Sequence, residues 1–137
     1  MGSSEEMAVR ATAEEFYDAL NEMFKGDVAL MKAIWSHADD VVYMGPGGSI
    51  KVGWKNISKD WEAQASRKLG GHVELKDVHF VMGNDIAVMT GRETGQNTNI
   101  GGKREQVDIR VTNTFRREGG AWKVIGHHTD LLAGIKG

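Results

Sequence analysis

The sequence predicts an α+β fold in which a curved antiparallel sheet wraps around three N-terminal helices. Three observations predict it. Apolar residues recur at helical spacing as far as Ala65, they alternate at strand spacing from Val73 onward, and glycine-rich turns punctuate the second half. The 137 residues are read as one domain, 1–137, with Met1–Ser4 set apart as a disordered start or an expression remnant.

Ser3 with Glu6 fits a capping box, and Ala13, Phe16, Tyr17, Leu20, Met23 and Phe24 then form the apolar stripe of a first helix. Gly26 ends that helix. Asp27 caps a shorter second one, whose buried side is Val28, Met31, Ile34 and Trp35. Val41–Met44 reads as a short strand, Gly45-Pro-Gly-Gly48 as a turn and Ser49–Val52 as the hairpin partner. Gly53 leads into a third helix with Trp54, Ile57, Trp61 and Ala65 on one side.

The strands follow. Val73 and Leu75 are out of phase with Val78, Phe80 and Met82, which places a β-bulge near Lys76-Asp77. Gly83-Asn-Asp85 turns the chain into Ile86–Thr90, and the polar, glycine-rich stretch Gln96–Lys103 reads as a flexible hairpin loop. Val107, Ile109, Val111, Asn113 and Phe115 line one face of the next strand. Gly119-Gly120 turns it into Trp122–Asp130. Strict alternation there puts Trp122, Val124, Gly126, His128 and Asp130 on one face and Lys123, Ile125, His127 and Thr129 on the other.

Composition excludes several functions. The net charge of -2, with Lys and Arg scattered, predicts no nucleic-acid partner. With no cysteine, disulfides, thiol chemistry and thiolate metal sites are absent. No apolar run is long enough to span a membrane and no signal-peptide core is visible, so a cytoplasmic protein without a membrane partner is expected. None of the glycine-rich stretches runs from a strand into a helix with phosphate-loop spacing.

The motifs His37-Ala-Asp-Asp-Val-Val-Tyr43, Pro46-Gly-Gly48 with Gly53 downstream, and Arg110-Val-Thr-Asn-Thr-Phe-Arg-Arg-Glu-Gly-Gly-Ala-Trp-Lys-Val-Ile-Gly-His-His-Thr129 come in an order that resembles the nuclear-transport-factor-like, or SnoaL-like, superfamily. The last piece is also similar to the association domain of calcium/calmodulin-dependent kinases. The resemblance covers nearly the whole chain and implies a cone: a curved sheet around helices, an internal pocket, and a homodimer packed through the outer faces of the long strands. Related ketosteroid isomerases use a carboxylate base just before the proline of the short hairpin and an oxyanion-holding tyrosine on the first helix. Here those positions fall at Gly45 and Phe16, with Tyr17 one place off, so isomerisation of that type is not expected.

Within such a pocket the candidate chemistry lies at His128 and Asp130. Arg110, Asn113, Tyr17, Tyr43, Trp54 and Trp61 are the candidate ligand-binding residues. A histidine beside a carboxylate can act as a general base near neutral pH, and an arginine can grip a carboxylate or enolate bidentately. The plainer reading is that His128 satisfies neighbouring polar groups in a buried strand. Trp35 and Trp122 are assigned to the core, while Trp54 and Trp61 suit core and cavity wall equally. His127 and His128 face opposite ways and cannot share an ion, so no metal and no cofactor are expected. Two functions remain open. One is binding of a small, largely apolar or carboxylate-bearing molecule, with metal-independent acid–base catalysis as an isomerase, cyclase or dehydratase. The other is a homodimeric assembly module with a vestigial pocket.

Overall fold

The computed structural model describes residues 4–98 and 101–132. Ser3 of the expected capping box, and all but Ser4 of the segment set apart, lie outside the described residues. Ser4 already opens helix α1, Ser4–Phe24, which buries Val9, Ala13, Phe16, Tyr17, Leu20 and Met23 along one side. The Gly26 N–H donates to the Met23 carbonyl at 2.9 Å as the chain leaves that helix. Asp27 Oδ1 then accepts the Ala29 N–H at 3.0 Å, opening α2, Ala29–Ile34. Strands β1, Val42–Met44, and β2, Lys51–Val52, form a hairpin, and α3, Trp54–Arg67, buries Ile57, Trp61 and Ala65. The remaining chain is β3, Gly71–Met82; β4, Ile86–Thr98; β5, Arg104–Glu118; and β6, Ala121–Thr129.

The six strands make one curved, unclosed sheet in the order β2-β1-β6-β5-β4-β3. The four long strands pair antiparallel as expected, but β1 joins β6 in parallel, with Tyr43 opposite His127. The helices fill the concave side. Asn21 ties α1 to β3 in both directions, donating from Nδ2 to the Val73 carbonyl at 3.0 Å and accepting the Val73 N–H at 2.9 Å. Phe16, Trp35, Trp61 and Phe115 are almost wholly buried between the layers, and each such side chain contributes about 1.5–3 kcal/mol. No helix among the described residues is long and apolar enough to cross a membrane.

Two strands depart from regular pairing. In β3 the register shifts between Lys76 and His79, where the phase of the apolar residues placed a bulge; Asp77 takes the left-handed conformation there, φ 54°. In β6 the shift lies where strict alternation predicted none. Thr114 pairs with Gly126 and Phe115 with Val124, leaving Ile125 without a partner. The inward face is therefore Trp122, Val124, His127 and Thr129, and His128 is exposed. The expected alternation beyond Val124 is inverted. A second correction concerns Gln96–Lys103. The strands continue through much of it, pairing Gln96 with Gln106, Asn97 with Glu105 and Thr98 with Arg104. Gly95 permits this, because any side chain there would meet the His72 carbonyl oxygen of β3.

Candidate functional site

The bulge divides the residues expected to form a site into two groups. Arg110, His128 and Asp130 belong to the convex outer surface. Asp130 accepts both the Arg110 backbone N–H at 3.0 Å and its guanidinium at 2.9 and 3.0 Å, and the Arg110 side chain is 83% exposed. The pair staples the middle of β5 to the residue after β6 and lies away from the cavity, so the expectation that His128, Asp130 and Arg110 meet inside the cone pocket is corrected. The cause is the unpaired Ile125, which turns His127 inward in place of His128. Trp54 also misses the cavity. Its indole stacks on His37, 4.4 Å between centroids and 5° apart, beside Trp35.

Tyr43 and Trp61 do line the cavity, with Leu20, Met23, Val107 and Ile109 as apolar wall and Gln64, Arg67, Asn97, Glu93 and His127 as polar members. The space open to the centre of a water molecule is ≈ 50 Å³, within ≈ 640 Å³ once the mouth is included. That admits a few atoms deep inside and a larger group only toward the mouth. Tyr17 and Asn113 stand behind Glu93 and His127. The Tyr17 hydroxyl donates to Glu93 Oε2 at 2.8 Å, and His127 Nδ1 meets Asn113 Oδ1 at 2.5 Å. His127 Nε2 lies 3.7 Å from Glu93 Oε2. Each of the four residues is buried.

Burial controls the protonation of this group. It pushes the Glu93 carboxyl from 4.5 up to about 7, against a smaller pull from the Tyr17 hydrogen bond. It pulls the His127 imidazole from 6.5 down to about 3, with His128 adding a smaller push in the same direction. The 3.7 Å separation is short enough for an ion pair. Desolvation nevertheless opposes both charged forms, and near neutral pH the pair is a neutral imidazole facing a carboxyl group in mid-titration. Burial likewise raises the hydroxyls of Tyr17 and Tyr43, keeping both as donors. Gln64 links the rim, donating from Nε2 to the Tyr43 hydroxyl at 3.0 Å and to Asp60 Oδ2 at 2.7 Å.

Sequence reasoning missed Glu93 because the strand was stopped at Thr90. Carried on, the inward series Ala87, Met89, Gly91, Glu93, Gly95, Asn97 sets a carboxylate on the core face. At the hairpin, a side chain on Gly45 would run into the Tyr43 hydroxyl, so with Tyr43 in this position there is no room for one. Phe16 stands on α1 as a fully buried ring against His127, 4.8 Å between centroids, and the neighbouring Tyr17 turns its hydroxyl to Glu93. Among the described residues no three His, Cys, Asp or Glu side chains converge as a metal site requires.

A family model described as a SnoaL-like domain matches residues 9–132. Among solved structures, a protein provisionally named a dehydratase of the NTF2-like family from Streptomyces avermitilis superposes with TM-score 0.79 at 22% identity, covering 93% of this chain and 95% of that one. A provisionally named calcium/calmodulin-dependent protein kinase type II association domain from Thiobacillus denitrificans gives 0.75 at 22% identity, over 90% and 94%. A provisionally named ketosteroid isomerase from Shewanella frigidimarina gives 0.72 at 18% identity, over 89% and 94%. These likenesses show the NTF2-like cone fold. No curated protein matches the chain.

The Glu93 shift has a consequence for stability. Below pH 4.5 the carboxyl is protonated whether the chain is folded or not; between 4.5 and about 7 the unfolded chain releases the proton while the folded one keeps it, so native stability falls across that window. His127 acts oppositely, costing stability as pH falls from 6.5 toward 3. Glu93→Gln removes only the first effect. Its stability relative to the parent should rise by on the order of 3 kcal/mol between pH 4 and pH 8 in chemical denaturation. A difference independent of pH would show that Glu93 is not held protonated.

Proposed function

This chain belongs to the SnoaL-like family, and from that premise we propose that it binds a small molecule in the cone cavity and acts on it with Glu93 and His127 as an acid–base pair. One observation carries the reading: a buried carboxyl and a buried imidazole face each other at 3.7 Å on the wall of a largely apolar cavity. Near pH 7 the carboxyl divides between its acid and base forms and the imidazole is a neutral acceptor, so one group can supply a proton while its neighbour removes another. The reaction class that suits this is proton transfer or elimination, as in an isomerase, cyclase or dehydratase. Tyr43, Trp61 and Phe16 supply flat apolar surface around the pair. With Arg110 outside, the cation nearest a bound acidic group is Arg67 at the rim.

The test is retention of small molecules. The protein would be incubated with a metabolite extract and washed, and what it holds would be released by denaturation and identified by mass spectrometry. Val107→Phe, which fills the cavity at a cost of about 1–3 kcal/mol, should lose what the parent retains. Glu93→Gln should retain it without converting it. Equal retention by parent and a folded Val107→Phe variant would defeat the reading.

A second reading adds assembly to this site. The outer surface of the long strands carries the exposed hydrophobics Val81 and Ile86 and the paired charges Arg92 with Asp77 and Asp108, and Arg110 with Asp130. Such a mixed-sign patch complements a copy of itself across a two-fold axis, which favours a homodimer. Sedimentation velocity should give a dimer for the parent and a monomer for Thr112→Glu, whose added carboxylate would stand in the middle of β5 beside that patch. A monomeric parent would contradict it.

A further inference from the structure

The residues behind the acid–base pair specify more than its position. Asn113 Oδ1 meets His127 Nδ1 at 2.5 Å, whereas Asn113 Nδ2 is buried without a hydrogen-bond partner. Tyr17 donates to Glu93 Oε2. With the Asn113 carbonyl oxygen toward Nδ1, His127 is the donor to Asn113, and on the other side of the pair Tyr17 is the donor to Glu93. The remaining gap, 3.7 Å from Glu93 Oε2 to His127 Nε2, opens on the cavity. Two bare acceptors facing each other in a dry site would be unfavourable, so the proton at that gap belongs on the carboxyl.

We propose that Asn113 holds the His127 proton on Nδ1, so that the cavity presents a bare imidazole nitrogen beside a carboxyl donor, and that this pairing selects a neutral planar ligand with a donor and an acceptor on neighbouring atoms, of the cyclic-amide class. The inference rests on the ligand-binding reading above and names its chemistry. Asn113 is a positioning residue in it, since it lies behind His127. Flatness follows from the walls. The Tyr43 ring is parallel to the His127 ring within 7° at 5.7 Å, and the Trp61 ring lies 4.7 Å from that of Tyr43. An anion is disfavoured at the pair, because it would add a third acceptor to a carboxyl and a bare nitrogen. The ionisable groups around Glu93 and its neighbour Tyr43 are Tyr17 on α1, Tyr43 on β1, Asp60 and Arg67 on α3 and His127 on β6. Of these only Arg67 is a cation at neutral pH, and it lies exposed at the rim.

Two measurements on the full chain test this. Ring-nitrogen NMR of the parent, with the His127 signals assigned through His127→Gln, should show the proton on Nδ1; a proton on Nε2 overturns the proposal without any ligand. Asn113→Leu should then let the Nε2-protonated form appear. For ligand class, 2-pyridone, benzoate and toluene would be titrated at pH 6 and pH 8.5, following His127 shifts. We expect 2-pyridone to bind more than about tenfold tighter than either of the others at pH 6, to weaken at pH 8.5 as Glu93 ionises, and to lose binding in Glu93→Leu. Preference for benzoate or toluene would overturn the selectivity while leaving cavity binding in place. Failure of all three to perturb His127 would overturn the selectivity and count against the cavity-binding reading as well.

Discussion

Ile125 has no partner on β5, and the inside of the cone depends on that one unpaired residue. Strand pairing holds Trp122 and Val124 inward, and the extra residue advances the chain by one step before Gly126 meets Thr114. The side chain delivered to the cavity is then His127, and the next residue outward is His128. A strand has a period of two, so one inserted residue exchanges every later side chain between core and surface. The parallel pairing with β1 adds a second constraint by setting Tyr43 directly beside His127. The two rings lie parallel as a result. Core packing on the concave side holds the arrangement, with the Phe16 ring against both His127 and Trp61 and Phe115 fully buried on β5.

A buried carboxyl and imidazole are costly to place in such surroundings, and the fold manages them by neutrality and by hydrogen bonds. Glu93 receives the Tyr17 hydroxyl and His127 is matched to Asn113, so the two groups with the strongest need for partners have them. The buried side-chain atoms left without one include Trp61 Nε1 and Asn113 Nδ2, both close to the same cavity region. The surface charges work differently. Arg116 reaches Asp40 at 2.7 Å and Glu118 at 2.9 Å, and Ser36 donates to Glu118 at 2.7 Å. This fastens the loop after α2 to β5 and fixes the approach of β1 to β6. Structural ion pairs thus stay outside and neutral acid–base groups inside.

Much of this was legible in the sequence. The helical stripes on α1 and α3, the bulge in β3 and the inward face of β5 could all be read because apolar residues continued on both sides of each feature. The β6 bulge was not readable in the same way. After Ile125 the chain runs Gly126-His-His-Thr-Asp130, and polar residues show no phase to slip; the glycine inside a strand was the one local sign. Glu93 escaped for a related reason: Gly91 and Gly95 flank it, and a glycine-bearing polar run resembles a turn more than a strand. The family motifs gave the cone through the order of elements, while its pocket chemistry depended on local irregularities that pattern alone does not show.

The account turns on His127 being the inward histidine, and the most direct measurement is the stability of His127→Ala beside that of His128→Ala in chemical denaturation at pH 7. His127→Ala should lose about 1–3 kcal/mol, because it strands Asn113 without its partner, and His128→Ala should stay within about 0.5 kcal/mol of the parent. The reverse order, or equal losses, would mean that the phase of β6 is regular and that the acid–base pair described inside the cone does not exist.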